Sequence, residues 1–383
     1  MPTLRDLKRA DAAWMMSLPT SLLRELCRID EGLPAEPPPA PEPAAKDYHA
    51  LSIIEAMDDP ELFGSHFEGE SWKAWRVFLK ALFALPMDED ELAIFRQQTD
   101  RTVPPTKRGR EAALICGRRG GKSRILALIA VYLACFIDHM PCLATGEIAT
   151  VAVISADKKQ ARSVMRYAKG LLEQTHVLAS LIAGDTQESV TLTNRVVIEV
   201  HTASFKVTRG YTLVAAILDE IAFFPKEDSA APDVEIARAL RPGLATIPHA
   251  MVLQSSSPYA KKGLLWDTYR KHFGHNDATV LVWKASTEEM NPRIDPEFLA
   301  QQYEDDPASA EAEYGANFRD DVSVFVSREV LDNCTPFGTV EVAPQLGINY
   351  LAFVDPSGGS ADSMTLAIAH MERTRPVLDA IRE

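Results

Sequence analysis

The sequence predicts an α/β protein built on a mostly parallel sheet, and three observations predict it. Short apolar segments recur at 112–116, 150–155, 213–218 and 251–254. Continuous apolar runs of that length suit strands buried on both faces, as in parallel sheets. Helical segments lie between them: 123–139 is apolar nearly all round, and Asp157 reads as the N-cap of a helix reaching about Gln174. Buried strands alternating with helices give a layered α/β domain.

The remaining elements follow in chain order. Residues 1–32 carry Leu22, Leu23 and Leu26 on one weakly helical face, and a Pro-rich stretch follows from Pro34 to Pro43. Such a stretch is extended and packs no core, so 1–45 reads as a helical appendage and linker. Residues 48–100 read as helical, with Trp72, Trp75, Phe78, Leu79, Leu82 and Phe83 forming one apolar face; Trp72 and Trp75 read as packed core, with an approach to an adenine ring as the alternative. The Pro104-Pro105 pair breaks that pattern, and the alternation of 190–202 reads as a hairpin. After about residue 320 the texture changes. Strands at 350–354, 364–371 and 376–381, joined by short turns, suggest an antiparallel meander in a second domain, inside which the sequence stops. The expected division is 1–45, 46–320 and 321–383.

A chain of 383 residues with 46% hydrophobic content can bury a large core. Its longest apolar run, Ile125 to Ile137, falls short of the roughly 20 residues that span a bilayer. The N-terminus lacks a signal-peptide core, so a soluble intracellular protein is expected. Cys27, Cys116, Cys135, Cys142 and Cys334 show no metal-ligand spacing and read as buried free thiols in a reducing cytosol. The net charge of −14 argues against a chain that is basic throughout its surface. Contact with nucleic acid has to come from local basic segments such as 158–162 and Lys261-Lys262, or from basic partner subunits.

The strongest local chemistry is the segment Gly117-Arg118-Arg119-Gly120-Gly121-Lys122-Ser123. It departs from the strict phosphate-loop pattern by one residue, because Cys116 stands at the first glycine position. A strand leads in, three glycines permit a tight anion-cradling turn, and Lys122-Ser123 opens a helix whose N–H groups favour an anion. Lys122 is suited to the β- and γ-phosphates of a nucleotide, and the Ser123 hydroxyl to Mg²⁺. The bland alternative is a glycine turn that happens to precede Lys-Ser.

Asp219-Glu220 ends the strand at 213–218. One acid can hold a metal through its water shell, and the other can polarise an attacking water, which meets the needs of phosphoryl transfer. A lone Asp-Glu pair is otherwise a helix cap or a solvated strand end. Ser255-Ser256-Ser257-Pro258 follows the strand at 251–254 and falls on the same sheet edge, where hydroxyls can sense a γ-phosphate; alone it is an ordinary Ser-Pro turn. Arg118 and Arg119 lie inside the loop and can stabilise transferring phosphate charge. Arg209, ten residues before Asp219, is a further candidate or a surface ion-pair partner.

In this order the elements resemble the large terminase subunit of tailed bacteriophages, the motor that pumps DNA into capsids. The matching pieces are 117–123, Arg209-Gly210, 217–223 with Asp219-Glu220, and Ser255 to Pro258. Residues 312–319 and 353–359 match as well, so the resemblance covers roughly 60–383. It implies an additional-strand P-loop ATPase domain followed by an RNase H-like nuclease domain, incomplete here. By resemblance, Lys122 and Ser123 bind phosphate and metal, Asp219 is the second acidic motif, and Glu220 is the catalytic carboxylate. Arg118 matches a loop arginine that moves towards the phosphates, and Ser255 to Ser257 match the motif coupling hydrolysis to DNA movement. Cys116 matches the family's own departure from the strict loop. Asp355 matches the first metal-binding acid of the nuclease, with Asp362 a weaker match; the other acids would lie beyond Glu383, so nuclease competence is not expected.

The implied cofactors are ATP and Mg²⁺, with Mg²⁺ or Mn²⁺ for the nuclease. The implied partners are double-stranded DNA, the portal protein, the small terminase subunit and further copies in a ring, in the cytoplasm of a bacterial host. A helicase-like or other DNA translocase shares the phosphate chemistry but has no need of Asp355. A non-catalytic docking fragment is the third reading, against which Lys122, Asp219 and Glu220 stand.

Overall fold

The computed structural model describes residues 47–203, 210–224, 232–276, 279–319, 334, 341–355 and 364–382. The chain divides into the units Met1–Tyr48 and His49–Glu383. The expected appendage and linker at 1–45, Arg209 and Asp362 lie outside the described residues.

The second unit begins with helices α1 (Ile53–Asp58), α2 (Lys73–Phe83) and α3 (Glu89–Thr99). Ser52 and Asp88 start α1 and α3 with reciprocal capping boxes to Glu55 and Glu91. The amphipathic α2 buries Trp75, Val77, Phe78, Leu79 and Leu82. Then come β1 (Glu111–Cys116), α4 (Lys122–Cys135), β2 (Ala149–Ser155), α5 (Lys158–Gln174), α6 (His176–Ala179), β3 (Ile182–Asp185), β4 (Ser189–Leu192), β5 (Val196–Thr202) and β6 (Thr212–Asp219). They are followed by α7 (Pro232–Leu240), β7 (Met251–Ser256), α8 (Gly263–His272), β8 (Val280–Ala285), α9 (Thr287–Met290), α10 (Pro296–Asp305) and α11 (Pro307–Glu313).

Eight strands form one sheet in the order β3-β4-β5-β2-β6-β7-β1-β8. Pairing is parallel from β5 through to β8. It is antiparallel only at the β3-β4-β5 margin, where the expected hairpin lies. The sheet is therefore mostly parallel, as its apolar strands predict. Strands β1, β2 and β6 bury nearly every residue because both faces are covered. Helix α4, buried from Ile125 to Cys135, packs across β2, β5 and β6. A second cluster joins Ala113, Ile115, Ile154, Ala216 and Leu218 to Ile236, Leu240 and Leu265 of α7 and α8.

Strand β7 lies between β1 and β6, pairing with both. The register sets Leu114 and Asp219 opposite the two sides of Ser255, and Ser155 opposite Asp219. The ends of β1, β6 and β7 therefore meet on one edge.

Strands β9 (Tyr350–Asp355), β10 (Thr365–Glu372) and β11 (Arg375–Arg382) form the expected antiparallel meander. Leu351 and Phe353 are 69% and 70% exposed in it, while His370 and Asp379 are buried as a pair at 2.8 Å. Cys116 and Cys135 are buried as expected, but Cys142 is half-buried and Cys334 exposed. Among the described residues no helix is long and apolar enough to cross a membrane.

Candidate active site

The turn between β1 and α4 closes on itself. Arg119 and Gly121 take left-handed backbone conformations, with φ of 63° and 100°. For a non-glycine residue such as Arg119 that costs about 1–2 kcal/mol, a strain typical of functional turns. Gly117 permits a close approach: a Cβ there would lie 2.2 Å from Thr287 Oγ1 and 2.5 Å from the Tyr314 carbonyl. Lys122 is buried at the start of α4, with Ser123 beside it. Its Nζ donates to the carbonyls of Cys116 at 2.8 Å and Gly117 at 3.2 Å. Burial pushes the Cys116 thiol up to about 12, so the residue at the missing glycine position is an inert thiol rather than a nucleophile.

Across the edge, β6 ends in buried Asp219, and Glu220 turns the chain with φ 54°. That left-handed residue swings the Glu220 carboxylate over the end of β7. Its Oε2 accepts from Ser256 Oγ at 3.0 Å and from the Ser257 N–H at 3.4 Å, while Oε1 lies 3.8 Å from Lys122 Nζ. The loop lysine, the acidic pair and the serine tip thus form one constellation. Ser255 does not join the Glu220 contacts; it is the register partner of Asp219.

Among the described residues, three buried oxygens at this edge have no hydrogen-bond partner within 3.5 Å: Asp219 Oδ1, Ser255 Oγ and Ser257 Oγ, although the Ser255 hydroxyl lies close enough to favour the charged form of Asp219. Buried polar atoms are normally satisfied, so such a cluster fits a site that receives a polar occupant. The donor set suits Mg²⁺, which commonly takes one or two carboxylates and completes its shell with water and phosphate oxygens. Asp219 and Ser123 are the residues that would hold it.

Burial, and then the neighbouring Glu220, push the Asp219 carboxyl up to about 7 from 3.8, with Lys122 opposing. Because the folded value is raised, the stabilisation that the protonated group contributes is fully present below about pH 4. It is lost progressively as pH climbs through about 7. The metal-free protein should therefore lose thermal stability from pH 5 to pH 8, and Asp219→Asn should flatten that decline. Identical pH profiles for the two proteins in thermal melts would rule this cause out.

Arg118 is in the loop, but its side chain points away from this cluster. It is 55% exposed, its Nε lies 2.6 Å from Glu313 Oε2, and its N–H donates to the Glu313 carbonyl. Asp355 is not brought to this constellation. It ends β9 as an exposed residue opposite Thr365 in the three-stranded sheet. Among the described residues no group of three or more His, Cys, Asp or Glu side chains is gathered as a metal site.

Motif reading missed the residues that hold the loop from outside. Trp75 Nε1 donates to the Gly120 carbonyl at 2.8 Å. Thr287 Oγ1 donates to the Arg118 carbonyl at 2.7 Å, and Asn291 Nδ2 to the Arg119 carbonyl at 2.9 Å. Trp75 is core, as its helical spacing predicts, but it is also a loop ligand, and no local signal marks it as one.

No protein-family model matches the sequence, and no curated protein matches it. Among solved structures the chain is similar to the large terminase ATPase domain of Thermus phage P74-26, at 18% identity and a TM-score of 0.42, covering 63% of this chain and 97% of that one. It is also similar to the large terminase of bacteriophage HK97, at 17% identity and a TM-score of 0.49, covering 81% and 63%. A third is the large terminase of the thermophilic bacteriophage D6E in complex with ADP, at 10% identity and a TM-score of 0.43, covering 79% and 65%. The chain thus spans less than two thirds of the HK97 and D6E proteins.

Proposed function

We propose that this chain is the ATP-hydrolysing large subunit of a viral DNA-packaging motor, using Mg²⁺ and the energy of ATP to move double-stranded DNA. The observation that carries the proposal is the inserted strand β7. It brings Ser256 onto Glu220 and sets Glu220 within 3.8 Å of Lys122, although their parent strands are not neighbours. The ordered motifs from Gly117 to Ser257 support the same family. In this reading 46–320 is the ATPase domain and 321–383 a linker with part of an RNase H-like domain, in which Asp355 is the first metal-binding acid. A portal protein, a small subunit, a ring of copies and the host cytoplasm belong to the same proposal.

The chemistry follows from residues that already touch one another. Lys122 is held by two loop carbonyls and lies near Glu220. Triphosphate oxygens compete for its Nζ, and turning towards them weakens its attraction to Glu220 Oε1. Ser256 and the Ser257 N–H keep Oε2 in place, which leaves Oε1 to orient and polarise a water. Bound Mg²⁺ would neutralise phosphate charge beside Asp219 and Ser123. The serine tip senses the same carboxylate, so a change at the γ-phosphate reaches β7 directly. For Arg118 to reach the phosphates it must release Glu313.

Steady-state ATP turnover with and without duplex DNA tests the proposal. Turnover should be measurable and should rise with duplex. No turnover by the purified chain would overturn the ATPase reading, and turnover indifferent to duplex would overturn the translocase reading.

A further inference from the structure

A phosphate loop binds anions because its N–H groups point inward, so its carbonyls must point outward. In a trans peptide the C=O of one residue and the N–H of the next point in opposite directions. Whatever holds the carbonyl of residue i therefore aims the N–H of residue i+1.

Three successive carbonyls of this loop are held by side chains distant in sequence. Thr287 holds that of Arg118, Asn291 that of Arg119 and Trp75 that of Gly120. The three anchors aim the N–H groups of Arg119, Gly120 and Gly121. The Gly120 N–H meets the Gly117 carbonyl at 3.3 Å. Among the described residues, the N–H groups of Arg119 and Gly121 have no acceptor.

The anchors are themselves fixed. Trp75 is fully buried in α2, on an edge-to-face contact with Phe78. Thr287 is fully buried at the start of α9, and its own N–H donates to the Tyr314 carbonyl. Asn291 closes α9 through its N–H to the Thr287 carbonyl. The close approach of Gly117 to Thr287 ties the loop to this support. No loop residue supplies these three bonds, so the cradle is shaped from α2 on one hand and from α9 on the other.

We infer that Trp75, Thr287 and Asn291 are positioning residues that set nucleotide affinity: Thr287 and Trp75 present the N–H groups of Arg119 and Gly121, and Asn291 fixes the peptide between them, whose N–H closes the turn on the Gly117 carbonyl. The inference rests on the nucleotide-site reading above and assigns that site a set of supports outside its motif. Losing one anchor lets a peptide rotate, so each loss weakens phosphate binding by about fivefold to tenfold, the size of one net hydrogen bond.

Isothermal titration of the full chain with Mg²⁺-ATPγS and with inorganic pyrophosphate separates this role from a merely structural one. Thr287→Val, Trp75→Phe and Asn291→Ala should each weaken both probes by a similar factor, since the lost element lies at the phosphates. Thr287→Ser keeps the hydroxyl and should bind as the wild type does. Asn291 is only partly buried, so its variant remains informative should either core substitution unfold the chain. Unchanged affinities in Asn291→Ala and Thr287→Val, or equal loss in Thr287→Ser and Thr287→Val, would overturn the inference while leaving the nucleotide site standing. Wild-type protein that binds neither probe would overturn both.

Discussion

Glu220→Gln is expected to lower ATP turnover about 10²–10⁴-fold, the range usual for losing a positioned acid–base group. The substitution preserves shape: Ser256 Oγ can still donate to the side-chain oxygen, and the left-handed turn at residue 220 is untouched. It removes the negative charge that orients water, and it removes the anion 3.8 Å from Lys122. Lys122 then has one fewer anion competing with the phosphate oxygens, so ATP binding should be equal to or tighter than in the wild type. Turnover near the wild-type rate would exclude Glu220 as the catalytic carboxylate. Loss of binding together with turnover would instead mark it as a support of the loop.

The second large effect is on binding. Lys122→Ala should weaken Mg²⁺-ATP binding about 100-fold, because hydrogen bonds to a charged group contribute about 1.5–3 kcal/mol each. The Cys116 carbonyl also loses the Lys122 ammonium as a donor, and the Gly117 carbonyl is left with the Gly120 N–H. Lys122→Arg should not restore binding, since a planar guanidinium does not fit the space of a compact, buried ammonium. Equilibrium binding of a fluorescent ATP analogue measures both variants. Wild-type affinity in Lys122→Ala would place the nucleotide elsewhere.

The residues legible in the sequence are those whose chemistry is local. A strand, three glycines and Lys-Ser in succession announce an anion turn. A buried strand ending in Asp219-Glu220 announces paired carboxylates, and the serine tip falls on the same edge because parallel strands end together. The apolar runs of β1, β2, β6 and β7 and the cap at Asp157 could be read for the same reason. Strand β8 is not legible in the sequence: a short apolar run does not by itself distinguish strand from helix, and only pairing with β1 fixes it. Strand β3, a short edge strand with three exposed residues, left still less periodicity.

Nor does local pattern reveal the supports of the site. Trp75, Thr287, Asn291 and Glu313 act through tertiary contacts made up to 195 positions along the chain from the loop residue each one touches (Glu313 to Arg118). Trp75 carries the helical periodicity of an ordinary core residue, and Glu313 the composition of an ordinary acidic helix. The division of labour among the serines was equally hidden. Register, not sequence, gives Ser256 and Ser257 to Glu220 and sets Ser255 against Asp219.

The central claim is that Lys122 holds the triphosphate while Glu220 drives its hydrolysis. Its most direct test is the identity of the nucleotide retained after incubating Glu220→Gln with radiolabelled Mg²⁺-ATP and removing free ligand. The account predicts intact ATP on Glu220→Gln, ADP on the wild type, and neither on Lys122→Ala. ADP retained on Glu220→Gln as readily as on the wild type would contradict it.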